Sequence, residues 1–323
     1  MSENPHQKLK IGFILAKSFT LSAFALFVDT LRLASDKLDH SGRKLADWDV
    51  LGSTRQPIRS SCGVQVVPTS NLIDPATFSY IVVVGGLLDV EEPIDREAKL
   101  YLQRASDKKV PLIGVCTGSF ILAAAGLMKQ HYTCVNWLHF REFRELFPDH
   151  KVRADRLYNL DRYRGSCAGG SSAADMAAAI VRRFISRDAE RNALEVLLLE
   201  RARSPLEVQP RRPLFSRCDD PRLQSALILM EGHLDSSLSI PKLADTLGVS
   251  RRQLERLFMA KMKLSPAQAY KQVRMEHAKT MLLQSKAPLV EIALEVGFAN
   301  ASHFSRQFKS VVGKSPSRFR AAE

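Results

Sequence analysis

The chain has 323 residues, 45% of them hydrophobic and 25% charged. That is the balance of a soluble globular protein, not a disordered one, and the length predicts two domains. Lys and Arg number 47 against 34 Asp and Glu, a formal net charge of +13, which directs attention to an anionic partner. The five cysteines (Cys62, Cys116, Cys134, Cys167 and Cys218) include no CxxC pair. This argues against a disulfide framework or a zinc cluster and fits a reducing, cytoplasmic setting. The first ten residues, MSENPHQKLK, hold no apolar signal core. One uncharged run, 110–128, reaches membrane length, but Pro111, Gly114, Gly118 and Gly126 break it into strand, turn and helix. No membrane span and no metal or cofactor site is expected.

In chain order, candidate strands are LKIGFIL (9–15), WDVLG (48–52), VQVV (64–67), YIVVVG (80–85), LIGVC (112–116) and LYNL (157–160). Helical patterns fall between them at Leu21–Ala34, Arg96–Ser106, Ser119–Met128, Leu138–Leu146 and Ser171–Phe184. Uninterrupted runs such as IVVV predict strands covered on both faces, as in a parallel sheet. The first 202 residues therefore read as an α/β sandwich.

Within it, Gly114-Val115-Cys116-Thr117-Gly118 places a cysteine where a strand ends and a helix begins. This is the spacing of a nucleophile elbow, and a helix N-terminus favours the thiolate. Gly85-Gly86 closes a neighbouring strand and is positioned to bring backbone N–H groups to the same point. The glycines are also accounted for if they only let strand and helix pack closely. The other four cysteines read as small buried or incidental thiols.

Pro205, Pro210, Pro213 and Pro221 interrupt any regular element, which predicts a linker over 203–220. From Arg211 onward there are 19 Lys+Arg and 10 Asp+Glu, a net of +9, so most of the basic excess lies in the smaller part. Residues 221–323 read as all-α. In SIPKLADTLGVSRRQLERLFMA (239–260), Ser239 caps a helix with Pro241 in its first turn, and Gly248 suits a left-handed stop. Ser250 then caps a second helix. Leu254, Leu257 and Phe258 face inward and leave Arg251, Arg252, Gln253 and Arg256 outside. This is the layout of a helix-turn-helix with its recognition helix. The pattern recurs in LVEIALEVGFANASHFSRQFKSVVG (289–313), where Gly297 follows Gly248 by 49 residues and Phe308 follows Phe258 by 50. A long helix over Pro266–Gln284 separates the two. Two such units can enter adjacent major-groove segments roughly 34 Å apart. A helical domain with solvated basic faces is the plainer alternative.

Residues 221–320, above all GFANASHFSRQFKSVVGKSPSRFR (297–320), resemble the DNA-binding domain of AraC/XylS-family bacterial transcriptional regulators. The resemblance places base-edge contacts on Arg252, Gln253 and Arg256 in the first unit and on Ser302, His303 and Arg306 in the second. Ser250 and Asn300, at helix starts, suit phosphates. Arg251 lies on the same face. His303 is equally compatible with a plain surface position.

YIVVVGG (80–86), GVCTGSFILAAAGLM (114–128) and CAGGSSAADM (167–176) resemble the DJ-1/PfpI, or class I glutamine-amidotransferase-like, fold, a flavodoxin-like sandwich. Catalytic relatives carry a histidine where this chain has Asn136, and an acidic residue where SFTLSAF (18–24) has none. Asparagine cannot serve as general base for a thiol. His139, about one helical turn on, is the only nearby substitute. The pocket is accordingly expected to bind, not react, with Gly86, Cys116, Thr117, Asn136 and Trp137 as ligand contacts. Trp137 suits stacking on an apolar or cationic group and equally a place in the core.

The two resemblances together imply a sequence-specific transcriptional regulator, an activator, with an α/β ligand sensor. Double-stranded DNA, RNA polymerase, a second copy of the chain and a small metabolite, amino-acid-derived or a quaternary amine, are the implied partners. The competing expectation is a DJ-1/PfpI-type cysteine hydrolase fused to a DNA-binding domain.

Overall fold

The computed structural model describes residues 8–36, 38–209, 220–234, 238–285 and 287–321. They form two compact units that divide after Gln209. The first unit contains strands β1 (Leu9–Leu15), β2 (Ala46–Gly52), β3 (Ile58–Arg59), β4 (Gln65–Val66), β5 (Ser70–Asn71), β6 (Tyr80–Val84), β7 (Leu112–Val115), β8 (Thr133–Cys134), β9 (Val152–Arg153), β10 (Tyr158–Leu160) and β11 (Arg164–Cys167). Its helices are α1 (Leu21–Ser35), α2 (Arg96–Asp107), α3 (Gly118–Ala124), α4 (Phe140–Leu146), α5 (Ser172–Phe184) and α6 (Arg187–Val196).

Seven strands form one sheet in the order β10-β11-β7-β6-β1-β2-β5. All pairings in it are parallel except that of β10 with β11. The runs at β1 and β6 are apolar throughout because both faces are covered. In β1, Leu9, Ile11, Phe13 and Leu15 join the core beneath α1, α5 and α6, whereas Ile14 faces the core beneath α2, α3 and α4. In β6, Val82 and Val84 face the first core and Ile81 and Val83 the second.

Several elements depart from the sequence expectation, among them the short strands β3, β5, β8, β9 and β11, which it did not include. VQVV supplies only the two residues of β4, paired with β3 outside the main sheet. Val64 and Val67 are about half exposed, so of this valine-rich run only Val66 packs against the core. The helix expected to reach Met128 ends at Ala124, and Gly126 turns the chain at φ +74. The chain also adds α6, capped by the Ser186 side chain.

The second unit contains only helices among its described residues: α7 (Pro221–Glu231), α8 (Ile240–Leu247), α9 (Arg251–Met262), α10 (Pro266–Gln284), α11 (Leu289–Glu295), α12 (Ala301–Val312) and α13 (Pro316–Arg320). Ser239 and Ser250 cap α8 and α9 as expected, and Gly248 takes the left-handed conformation between them. Two cores result. Leu243, Ala244, Leu254 and Phe258 fill the first, and Ile292, Ala293, Phe304 and Phe308 the second. Helix α10 serves both, giving Ala269, Tyr270 and Val273 to one and Met275, Ala278 and Leu282 to the other.

Gly297 packs the second helix-turn-helix against the rest of the helical unit. Its φ is +77, and a Cβ there would stand 2.3 Å from the Leu234 carbonyl oxygen and 3.0 Å from the Arg274 guanidinium carbon. We expect Gly297→Ala to destabilise the helical unit by about 1–3 kcal/mol, through backbone strain and this collision. The melting temperature of the full chain's helical transition checks it.

Candidate functional site

The elbow is built by backbone contacts too close for side chains. A Cβ on Gly85 would lie 2.2 Å from the Gly118 nitrogen, and one on Gly118 would lie 2.0 Å from the Val83 oxygen. The ends of β6 and β7 and the start of α3 therefore meet directly. Between β7 and α3 the chain turns sharply, and Cys116 takes φ +56. Such a φ is strained for a non-glycine residue and recurs at functional turns. Cys116 is half-buried. Its Sγ lies 3.3 Å from the Thr20 hydroxyl, so a neutral hydroxyl stands where a carboxylate would be needed to assist the thiol. Sequence reading left Thr20 unassigned; its place next to the end of β1 was the available signal.

The other expected pocket residues are held by the protein itself. The Thr117 hydroxyl donates to the Gly86 carbonyl at 2.8 Å. Gly86 approaches the Ser18 carbonyl so closely that no side chain fits. The Asn136 carboxamide accepts from Leu138 N at 3.0 Å, and its Nδ2 donates to the Ala168 carbonyl at 3.3 Å. The residue after Ala168, Gly169, abuts Cys116: a Cβ there would be 3.1 Å from Sγ. Asn136 thus braces the wall beside Cys116. His139 faces Glu142 at 3.7 Å and the edge of Phe120. Trp137 is half-buried against the core on the α2 side.

Residues 203–209, placed in the expected linker, are tied to this same wall. Arg203 donates from its backbone to Asp175 at 2.8 Å and from its guanidinium at 2.7 Å. Gln209 is 3% exposed. It accepts from Trp137 N at 3.0 Å and donates to the Val135 and Arg156 carbonyls at 2.8 and 2.9 Å. The rest of the expected linker, 210–219, lies outside the described residues, as does Cys218.

On the helical unit, the outward side chains of α9 and α12 separate by what they bond. Arg251 pairs with Glu255 at 2.8 Å. Gln253 and Ser250 form a reciprocal capping box, so the Gln253 carbonyl oxygen faces its own helix start. Asn300 likewise accepts from His303 N at 2.8 Å. The His303 ring packs edge-on against Phe298. Arg252, Arg256, Ser302 and Arg306 are exposed, and the three arginines form no ion pair among the described residues. No group of three or more potential metal ligands occurs among the described residues.

A family model described as "Helix-turn-helix domain" matches residues 243–322, and one described as "DJ-1/PfpI family" matches residues 10–155. The HTH-type transcriptional regulator GbdR of Pseudomonas aeruginosa is 32% identical over 308 residues, 95% of this chain and 82% of that protein. The chain belongs to the AraC-type transcriptional regulators with an N-terminal DJ-1/PfpI domain. The similarity of this regulator to GlxA of Rhizobium meliloti is 28% identity over 96% of the chain and 95% of that protein. Among solved structures, an AraC family regulator from Pseudomonas putida aligns with 58% of the chain and 99% of its own, at TM-score 0.50 and 22% identity. A ThiJ/PfpI family protein from Pseudomonas syringae aligns with 75% of the regulator and 90% of its own chain, at TM-score 0.51 and 18% identity. These two share its fold over the aligned part. No helix of the regulator, among described residues, is long and apolar enough to cross a membrane.

Burial pushes the Cys134 thiol well up and the Cys167 thiol up to about 11, while the Ser60 hydroxyl beside exposed Cys62 lowers that thiol. Iodoacetamide near neutral pH is expected to label Cys62 and Cys116 in the native regulator and to spare Cys134 and Cys167, read by peptide mass spectrometry. A raised thiol pKa favours the fold while the unfolded thiol is still protonated. Stability of the α/β unit should therefore fall as pH rises from the ordinary 9.0 through about 11. Gln209→Leu removes the donor to the Val135 carbonyl and leaves the Arg156 carbonyl with the Cys134 thiol, and is expected to cost about 1–3 kcal/mol in thermal unfolding.

Proposed function

We propose that this regulator is a cytoplasmic, sequence-specific activator whose α/β unit binds a small metabolite and performs no chemistry on it. One observation carries the non-catalytic reading. The position of the expected base is Asn136, its amide spent on Leu138 N and the Ala168 carbonyl, and the neighbour of Cys116 Sγ is Thr20. A thiol without base or carboxylate keeps the shape of a nucleophile elbow but has no proton acceptor in place. The effector would lie against Gly86, Cys116, Asn136 and Trp137. Thr117 is 4% exposed with its hydroxyl engaged, so it shapes the wall. The 203–209 strap, plugged by Gln209 into the backbone of Val135 and Trp137, supplies a route from pocket to linker. A ligand that shifts Trp137 changes the seat of Gln209. It needs only to bind one arrangement better than the other.

DNA would be read by Arg252 and Arg256 of α9 and Arg306 of α12, whose guanidinium groups suit guanine O6 and N7. Ser302 lies beside Arg306. The groups engaged in caps, Ser250, Gln253 and Asn300, would set helix ends near phosphates, with Arg251 and His303 at the margin. RNA polymerase and a second copy of the chain complete the proposed assembly.

The test is fluorescence anisotropy of the full chain on DNA upstream of its own and neighbouring genes. Binding should exceed that to scrambled DNA and weaken steeply with salt. Arg252→Ala and Arg306→Ala should each lose about 1–3 kcal/mol on the specific site. Unchanged affinity in both would sink the assignment of α9 and α12. The φ of +56 at Cys116 gives the hydrolase reading its one structural argument. Cys116→Ser separates the two, since a regulator keeps its DNA binding and a hydrolase loses turnover.

A further inference from the structure

The sheet has a second opening. A cleft of about 370 Å³ lies at the carboxyl ends of β1 and β2, against the start of α2. Its floor includes Ile14, Leu51 and Ile94, all from the core on the α2 side. Cys116 packs against the opposite core, and none of Gly86, Cys116, Thr117, Asn136 or Trp137 lines the cleft. Ligands of open α/β sheets sit outside the carboxyl ends of strands, where the strand order reverses. In this sheet the reversal falls between β1 and β6, beside the cleft.

Size and lining define what it can hold. The volume falls within the about 300–1,000 Å³ of small-molecule sites, and an apolar floor with a polar rim is their usual composition. Lys17 and Arg59 are among the lining residues, both exposed, and neither forms an ion pair among the described residues. Asp95, the carboxylate among the lining residues, is already engaged. It accepts from Ala98 N at 2.7 Å and from the Ser53 hydroxyl at 2.5 Å. Between the two cationic residues the chain passes through Ser18 at φ +58, with Ser18 N bonded to the Arg59 carbonyl at 2.9 Å. Strain of this kind collects at ligand clamps. No aromatic ring lines the cleft, so it offers neither a platform for a nucleobase nor a box for a quaternary ammonium.

We infer that this cleft is a second small-molecule site, independent of the elbow, and that it takes a small organic dicarboxylate. Its two carboxylates neutralise Lys17 and Arg59, and its carbon body covers the floor of Ile14, Leu51 and Ile94. Inorganic phosphate would match the charge but leave that floor exposed.

Calorimetric titration of the full chain with glutarate, and with inorganic phosphate at matched ionic strength, tests this. Glutarate should bind saturably and more tightly than phosphate. The Lys17→Ala/Arg59→Ala double variant should bind it at least tenfold more weakly, whereas Lys17→Arg retains binding and Cys116→Ser is unchanged. Both replaced side chains are exposed, and a circular dichroism melt confirms that the double variant is folded. The inference is overturned if glutarate gives no saturable binding at millimolar concentration or if phosphate binds equally well. Binding that survives in the double variant, or is lost in Cys116→Ser, overturns it too. None of these readouts involves DNA, so failure here leaves the regulator reading untouched.

Discussion

The direct contact of backbone with backbone where β6, β7 and α3 converge governs the α/β unit. With Gly85 and Gly118 in contact across it, the chain leaving β7 has room only for a sharp turn, and the residue at its apex must take a left-handed φ. Cys116 is that residue. The same closeness brings the end of β1 alongside, so that Thr20 reaches Sγ. Packing of the backbone is thus enough to hold the shape of a nucleophile elbow. The same packing sets Thr20 beside Sγ and lets Asn136 brace the Ala168 carbonyl nearby.

The helical unit rests on an equivalent economy. Each helix-turn-helix buries too little apolar surface to form a large core, and α10 closes both by turning different residues to each. That division explains why α10 has no single apolar stripe despite its 19 residues. It also leaves the outer faces of α9 and α12 free of core duty. Their guanidinium groups then differ by local bonding. Arg251 is spent on Glu255, whereas Arg252, Arg256 and Arg306 form no ion pair among the described residues.

Much of this was legible in the sequence where a residue's own chemistry decides its place. The apolar runs of β1 and β6, the serine caps of α8 and α9 and the glycine stop at 248 all follow from local rules. Strand β11 was not legible. Its residues Arg164-Gly165-Ser166-Cys167 carry no β-branched side chain, and the strand exists because β7 offers it a parallel edge and Arg164 finds acceptors at Leu127 and Ser106. Asn136 was legible as an identity but not as a brace of the Ala168 carbonyl. Gln253 shows the same: its outward place was legible, but not the capping box in which its carbonyl accepts from Ser250 N. The strap at 203–209 was hidden for the same reason as β11. Proline spacing describes the chain's own stiffness and says nothing of the carbonyls at Val135 and Arg156 that receive Gln209.

Because α10 contributes to both cores, it also acts as a length standard. At about 1.5 Å per residue its 19 residues span roughly 28 Å of stiff rod. Inserting one base pair between two groove segments rotates one against the other by roughly a tenth of a turn. A flexible tether would absorb that rotation, but a helix packed at both ends would not. On the proposed reading, the protein would carry the phase of its operator in the dimensions of one helix, and DNA read by both helix-turn-helix units would have to supply its two sites at that fixed angular offset.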